Sequence, residues 1–383
     1  MKALLAVISL ILVWIILWDV FETIILPRRV TRKIRIARLF YRWSWRPWRW
    51  VGRHMKPGPR RESFLGYFGP LSLLVLFVVW AVGLIVAFAI LHLAAGSAIS
   101  VSGMPDARPG FWFDLYMSGT TFFTLGLGDV TPHTTMARFI TVTEAGLGFG
   151  FLALAITYLP VTYGAFSRRE VNISLLDARA GSPPTAAELL KRHAQPQSLP
   201  ALEQYLRDWE TWAAELMESH LSYPVLCYFR SQHNNQSWLA AMTTILDTSA
   251  FLIAFGAGSL RWQAKMTFAI SRHAFVDLAQ VMNVAPKTPK TPRMRDGDLA
   301  KLLKLAEAAG VPKCSMENVQ TLTELRSMYE PFIAPLSDRF LMNVAPWFLE
   351  AKAKDNWRTS AWGRISAEKA TAVIGEREER EHF

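Results

Sequence analysis

Long apolar segments that carry almost no charge limit most strongly how this chain can fold. No Asp, Glu, Lys or Arg occurs between residues 63 and 105, and residues 3–26 and 139–167 form two further apolar runs. A helix rises by about 1.5 Å per residue, so about 20 apolar residues cross a hydrocarbon core of about 30 Å. The sequence therefore predicts a membrane protein with three spans, at residues 3–26, 64–93 and 139–167.

The composition excludes the main alternatives to a membrane protein. Charged residues make up 19% of the chain, below the roughly 25% of an average soluble domain. With 51% hydrophobic residues, a disordered chain is excluded as well. The two cysteines, Cys227 and Cys314, are too few for a disulfide scaffold, and we expect both to be reduced thiols.

A cleaved signal peptide is the alternative interpretation of residues 3–26. Signal peptides carry their basic residues before the apolar run and end in a small-residue cleavage site. Here the basic cluster follows the run, and no such cleavage pattern is present. We therefore expect a retained first span.

The net charge of +11 comes from one block of the chain. Residues 28–61 contain 13 Lys or Arg and no Asp or Glu. Basic residues next to spans stay on the cytoplasmic side, so we expect this loop to be cytoplasmic and the amino terminus to be outside. The region after the third span is then also cytoplasmic, and the expected location is the plasma (cell inner) membrane.

The basic block also alternates tryptophan with arginine. Nucleic-acid-binding proteins use such residues to stack on bases, but between two spans they are typical of an interfacial segment on anionic lipid. We therefore favour lipid over nucleic acid, with Asp19 and Glu22 of the first span as anchors that face this loop. The predicted lipid-facing residues are Arg42, Trp43, Trp45, Arg46, Trp48, Arg49 and Trp50.

A half-apolar stretch at residues 111–138 separates the second and third spans. It is too short and too polar to cross the membrane, and a loop bearing Gly, Ser and Pro precedes it at residues 94–110. Irregular backbone at membrane depth is tolerated only where it lines a water-filled or protein-enclosed cavity. The pattern therefore predicts a re-entrant segment that lines a pore or a binding cavity.

The re-entrant segment contains the string Thr-Leu-Gly-Leu-Gly-Asp at residues 124–129. A dehydrated monovalent cation needs oxygens in place of its water shell, and inward-pointing backbone carbonyls supply them densely. Successive carbonyls point the same way when normal and left-handed dihedrals alternate, which Gly126 and Gly128 permit at little steric cost. A short pore helix at about residues 111–123 directs its partially negative carboxyl end towards the same place. The spacing predicts a cation site.

This string resembles the selectivity filter of the potassium channel superfamily, Thr-Val-Gly-Tyr-Gly-Asp. The resemblance covers residues 64–167 and extends to the pore module of two-pore-domain and related bacterial channels, although only one pore loop is present. Further positions match the superfamily in register: Pro132, Thr134, Arg138 and the inner-helix hinge glycine, Gly148.

The resemblance implies that K⁺ is the permeant ion and that no other cofactor is bound. The implied ion-binding residues are Thr124, Leu125, Gly126, Leu127 and Gly128. Leu127 departs from the usual Tyr or Phe, which leaves strict selectivity over sodium open. A weakly selective monovalent cation channel is therefore an alternative.

The pore helix also departs from the superfamily at Thr120, where several members carry a Glu that bonds the filter Asp. We therefore expect Tyr116 to be the partner of Asp129. Thr120 and Thr121 complete the predicted filter support.

One filter string supplies a quarter of a coordination cage, so four copies around an axis are required. We expect a homotetramer in which the third span lines the pore. Gly148 and Pro160 would permit this helix to bend. Leu159, Thr162 and Tyr163 are candidates for its constriction, with a mere kink at Pro160 as the alternative.

Glu144 is an ionisable residue within a predicted span, which makes it a functional hypothesis by default. Its register predicts a hydrogen bond to the pore helix at Ser118 or Thr121. It would thereby influence gating, or serve as a purely structural polar contact.

The region after residue 167 has a helical pattern and no motif for catalysis. Residues 182–185 resemble a helix start, and later helical segments are predicted near residues 199–219, 236–255, 260–283, 298–309, 316–329, 337–354 and 364–380. Residues 238–255 are apolar enough for a span, but we interpret them as a buried core helix. Residues 286–295 read as an exposed linker dividing the tail in two.

The predicted fold is an all-α membrane protein with three transmembrane helices, a re-entrant pore helix and filter, and a helical cytoplasmic C-terminal domain. The predicted parts are a first span (1–27), a basic interfacial loop (28–63), a pore domain (64–167) and a cytoplasmic domain (168–383) with an unknown ligand or partner. The predicted function is a potassium channel rather than an enzyme. A non-conducting membrane-anchored signalling or scaffold protein is a further alternative.

Overall fold

The computed structural model describes most of the chain and divides it into two compact units. The described residues are 1–26, 35–97, 99–101, 110–193, 195–233, 235–289, 291–295, 297–308, 315–344 and 346–349. One unit comprises Met1–Trp48 and Tyr67–Gly164, and the other comprises Arg49–Gly66 and Ala165–Phe383. The predicted helix at residues 364–380 and Cys314 lie outside the described residues.

The described residues are predominantly helical, and they include one two-stranded ladder. Among the described residues, four helical segments are long and apolar enough to cross a membrane: Lys2–Ile25, Pro59–Ala94, Thr135–Ala180 and Trp238–Phe255. The prediction of a helical protein with several membrane-spanning segments is confirmed at this level.

The first unit contains three long helical segments and two shorter ones. The elements are α1 (Lys2–Val20, continued by a π-helical turn at Phe21–Ile25), the first part of α2 (Ile36–His54), α4 (Phe68–Ala94), β1 (Ile99–Val101), α5 (Phe111–Phe122), β2 (Val130–Pro132) and the first part of α6 (Thr135–Ala180). The short helix α3 (Pro59–Gly66) belongs to the second unit.

Helices α1 and α4 pack closely along their length. Ser9 Oγ donates a hydrogen bond to the carbonyl oxygen of Ala87 at 2.6 Å. A Cβ atom at Gly83 would lie 2.8 Å from Cδ1 of Ile16, so the absence of a side chain permits this approach. Helix α5, the predicted pore helix, packs against α4.

The second unit is a helical bundle around a completely buried helix. Its elements are the end of α6, then α7 (Ala186–Arg192), α8 (Leu199–Ser222), α9 (Trp238–Phe255), α10 (Gly258–Val281), α11 (Asp298–Ala308), α12 (Met316–Ser327) and α13 (Glu330–Phe340). All 18 residues of α9 are buried within the protein, between α10, α12 and α7. This burial agrees with a core helix.

The buried carboxylate of Asp247 in this unit is paired with polar groups from two other segments. Arg293 forms an ion pair with Asp247 of α9, and Tyr329 Oη donates to Asp247 Oδ1 at 2.6 Å. The prediction that residues 286–295 divide the tail is wrong, because Arg293 ties this segment to α9 and the tail forms one unit.

The ends of two helices differ from the predicted ones. Helix α6 continues to Ala180 instead of ending near residue 167, and α13 ends at Phe340, where a helix at 337–354 was predicted. Helix α7 begins where residues 182–185 indicate, with Thr185 Oγ1 accepting from Glu188 N at 3.2 Å. Pro183 and Pro184 precede this cap and do not occupy the first turn.

Candidate functional site

The segment that follows α5 is held by backbone hydrogen bonds to the last turn of that helix. Leu125 N donates to the carbonyl oxygen of Thr120 at 2.8 Å, and Thr124 N donates to that of Thr121 at 3.0 Å. Helix α5 ends at Phe122, one residue before the predicted end. The predicted supporting residues Thr120 and Thr121 therefore contact residues 124 and 125 through their carbonyls.

Residues 124–128 alternate between two backbone conformations. Thr124, Gly126 and Gly128 have positive φ angles of 57°, 57° and 77°, whereas Leu125 and Leu127 between them do not. A run that alternates in this way turns successive carbonyls towards one side, and glycine adopts the left-handed state without a steric penalty. The side chains of Leu125 and Leu127 are exposed in the single chain.

The chain beyond this segment is fixed by a side-chain bond and a short ladder. Tyr116 Oη donates to Asp129 Oδ2 at 2.8 Å, which is the expected contact. Strand β2 then pairs antiparallel with β1, with Val130 opposite Val101 and Pro132 opposite Ile99. This ladder has no counterpart in the sequence analysis.

Gly148 of α6 lies directly against the end of α5. A Cβ atom at this position would lie 2.2 Å from the carbonyl oxygen of Phe122. Phe122 is itself fully buried. The glycine thus allows the inner helix to approach the backbone of the pore helix, a packing role that is distinct from the predicted hinge.

A buried polar junction joins α4, α5 and α6. Ser118 Oγ donates to Oε1 of Glu144, as expected, and also lies 2.9 Å from the carbonyl oxygen of Ile85. His92 Nε2 lies 3.7 Å from Glu144 Oε2. Glu144 and Ser118 are completely buried, and His92 is 1% exposed.

A second buried carboxylate lies at the beginning of the pore helix. Ser97 Oγ donates to Asp114 Oδ2 at 2.6 Å, and Asp114 is fully buried. Asp114 and His92 were not among the residues predicted to form the site. Their positions were the available signal: His92 is a polar residue within the uncharged run of residues 63–105, and Asp114 is the charged residue in the first turn of α5.

The residues predicted to form a constriction lie on different faces of α6. Leu159 and Tyr163 are 38% and 61% exposed in the single chain, whereas Thr162 is 1% exposed and donates to the carbonyl oxygen of Tyr158. Thr162 is therefore turned into the protein and is removed from the candidate constriction. Pro160 lies inside α6, which continues through it.

Some of the residues predicted to face lipid are exposed in the structure, and others are buried. Trp43 and Trp50 are exposed, but Trp45 is 2% exposed and stacks edge-on against Phe68. The prediction is wrong for Trp45, which packs in the core. Trp48 is half-buried and also packs against Phe68.

Arg49 is engaged by the protein itself. Its guanidinium lies 2.7 Å from Oδ2 of Asp338, which also pairs with Arg53. Burial raises the pKa of Asp338 and the two guanidinium groups lower it, with a net shift below the usual value. Arg42 and Arg46 remain exposed.

Comparison with known proteins supports an ion channel. A family model described as an ion channel matches residues 74–162, the part that contains most of α4, helix α5, the alternating segment and the first part of α6. The match points to a channel and not to an enzyme.

A membrane protein from Bacillus subtilis (strain 168) resembles most of the chain. This protein, the uncharacterized membrane protein YdjJ, is 21% identical over 287 residues, which cover 74% of this chain and 79% of YdjJ. No solved structure matches.

Proposed function

We propose that the protein is a potassium channel in which four copies of residues 124–128 surround a central axis. The observation that carries the proposal is the alternation of φ at Thr124, Gly126 and Gly128. In this proposal the carbonyls of residues 124–128 replace the hydration shell of K⁺. The ion channel match over residues 74–162 supports the same class of function.

Four copies are part of the proposal because a single strand offers oxygens from one side only. Exposed apolar residues of the inner helix agree with this: Phe149, Ile156 and Tyr163 are 61–71% exposed in the single chain. In a cyclic tetramer within a membrane, such residues face the axis, neighbouring copies or lipid.

The inner helix is the proposed gating element. Its first part carries Gly148 and Glu144 against the pore helix, and its continuation as far as Ala180 is part of the tail unit. Within that unit, the buried guanidinium of Arg169 donates to the carbonyls of Leu226 and Phe229 at 3.0 and 3.1 Å. We propose that the tail controls the inner helix through this anchored segment. Leu159 and Tyr163 remain the candidates for the constriction.

Liposome flux tests the proposal directly. Purified protein in proteoliposomes should carry K⁺ down its gradient, and reversal potentials in mixed K⁺ and Na⁺ should distinguish a selective channel from a weakly selective one, the alternative that Leu127 leaves open. Native mass spectrometry should give a tetramer.

A pair of matched variants tests whether flux depends on the proposed filter. Gly126 and Gly258 have nearly the same φ, 57° and 58°, and a Cβ atom at either one meets no described atom within 4 Å. Gly126→Asp should abolish flux while Gly258→Asp in the tail leaves it intact. Equal flux from both variants would contradict the proposal.

The non-conducting alternative has its own signature. A membrane-anchored signalling or scaffold protein would form folded tetramers that give no flux in any cation gradient. Capture of a soluble partner by such tetramers would then support that alternative.

A further inference from the structure

Helix α2 presents three separate stripes to its surroundings. Its buried stripe contains Ala37, Trp45 and Gly52. The adjacent exposed stripe is apolar and contains Leu39, Trp43, Trp50 and Val51. Next to it runs a basic stripe with Arg38, Arg42, Arg46, Arg49 and Arg53. An exposed apolar stripe flanked by arginines is the arrangement of a helix that lies in a membrane interface.

The beginning of α2 is attached to the end of the first apolar helix. Asp19 Oδ2 accepts hydrogen bonds from Ala37 N and from Trp80 Nε1, both at 3.0 Å. Arg35 lies 3.4 Å from Oε2 of Glu22. These contacts hold the amino-terminal turn of α2 where α1 ends, at the boundary of a candidate span.

Two of the five arginines pair with one carboxylate of the protein, and three do not. Arg49 and Arg53 pair with Asp338, whereas Arg38, Arg42 and Arg46 have no carboxylate partner among the described residues. Arg46 lies over the ring of Trp43, 5.2 Å from its centroid. This leaves a compact positive stripe beside exposed indole rings.

We propose that this surface, formed by Arg38, Leu39, Arg42, Trp43, Arg46, Trp50 and Val51, binds an anionic lipid surface. The arginines would contact lipid phosphates while the indole and aliphatic groups enter the acyl boundary. The aliphatic residues Leu39 and Val51 favour lipid over a nucleic acid, because they have no planar face on which a base could stack. The proposal requires a membrane protein but does not depend on ion conduction.

Lipid retention by the full-length chain tests the charged part of the surface. The protein is purified from micelles that contain equal amounts of phosphatidylglycerol and phosphatidylcholine, and the retained lipids are counted by native mass spectrometry. We expect the anionic lipid to be enriched in the wild type. Arg42→Gln with Arg46→Gln should lower this enrichment by about fivefold for each neutralised arginine.

The matched control neutralises two exposed arginines of the tail. Arg261 and Arg272 lie on the exposed side of α10, and their replacement by Gln changes the net charge by the same amount. This control should keep the wild-type enrichment. A wild type without enrichment, or an equal loss in both double variants, would overturn the proposal.

Tryptophan fluorescence tests the apolar part independently. Trp43 and Trp262 are 65% and 64% exposed, and only Trp43 belongs to the proposed surface. In nanodiscs with brominated lipids, Trp43→Ala should remove a quenched component of the emission, whereas Trp262→Ala should remove an unquenched one. Equal quenching of the two components would contradict the proposal.

A nucleic-acid surface would give a different result. A 20-nucleotide RNA would then bind the protein in neutral detergent, and this binding would be lost in the Arg42→Gln, Arg46→Gln variant without any enrichment of anionic lipid. That outcome would overturn the lipid assignment.

Discussion

A methyl group at Gly148 would stand 2.2 Å from the carbonyl oxygen of Phe122, a separation that no packed side chain tolerates. The inner helix and the last turn of the pore helix are therefore in backbone contact. The segment at residues 124–128 begins two residues after Phe122, so its position depends on this contact.

Gly148→Ala should destabilise the protein because the added methyl group must push the two helices apart. Overpacking of this kind costs about 1–3 kcal/mol. The matched control is Gly146→Ala, since a Cβ atom at Gly146 meets no atom of the described chain within 4 Å. Thermal unfolding in detergent should show a lower midpoint for Gly148→Ala only, and equal midpoints would contradict the packing role.

Glu144→Ala should also destabilise the protein, for a different reason. The change removes the buried carboxylate that accepts a hydrogen bond from Ser118 and lies 3.7 Å from Nε2 of His92. Ser118 Oγ keeps the carbonyl oxygen of Ile85 at 2.9 Å, whereas the buried imidazole of His92 loses the carboxylate that faces it. A buried polar group that loses its partner costs about 1–3 kcal/mol.

The neighbouring residue supplies the control for Glu144. Thr143 is exposed, and its hydroxyl donates to the carbonyl of Phe139 in the same helix. Thr143→Ala should leave the unfolding midpoint almost unchanged. A midpoint for Glu144→Ala that equals that of Thr143→Ala would show that the junction contributes nothing to stability.

The stability of the tail should fall as the pH decreases from 7 to 5. Burial lowers the pKa of His220 well below its usual value, and the neighbouring Arg169 lowers it further. Burial likewise lowers the pKa of His193. In the unfolded state both histidines gain a proton near pH 6.5, whereas in the folded state each gains it only at a lower pH, so acid favours unfolding.

Each such histidine changes the free energy of unfolding by up to about 1.4 kcal/mol per pH unit in this range. Urea unfolding of the full chain at several pH values measures the slope. His220→Gln should reduce the slope, whereas the same change at the exposed His273 should not. A slope that is identical in the wild type and His220→Gln would exclude His220 as a source of the acid sensitivity.

Local sequence patterns were sufficient to predict the elements around residues 111–129. The start of α5 at Phe111 follows from the local sequence pattern. The contact between Tyr116 and Asp129 was expected from the resemblance to the potassium channel superfamily, and that of Glu144 with Ser118 or Thr121 from its register relative to Gly148. The left-handed state at Gly126 and Gly128 follows from residue type. The ionic and oligomeric roles of these residues stay predictions.

Contacts between distant parts of the chain were not accessible from the sequence. The indole of Trp45 is buried by Phe68, and nothing in the alternation of Trp and Arg distinguishes it from the exposed Trp43. The partner of Arg49 lies far along the chain at Asp338. Which face of a helix is buried depends on what packs against it, and periodicity alone does not identify that neighbour.

The alternating φ angles between Thr124 and Gly128 show that the main chain, and not the side chains, determines how this segment presents its oxygens. Every amino acid has the same carbonyl group, so deleting a side chain at position 125 or 127 removes no oxygen. A substitution can instead remove the left-handed backbone conformation that occurs at every second position. Distant relatives of such a chain are therefore better sought by the interval between the two glycines than by the identity of the residue between them.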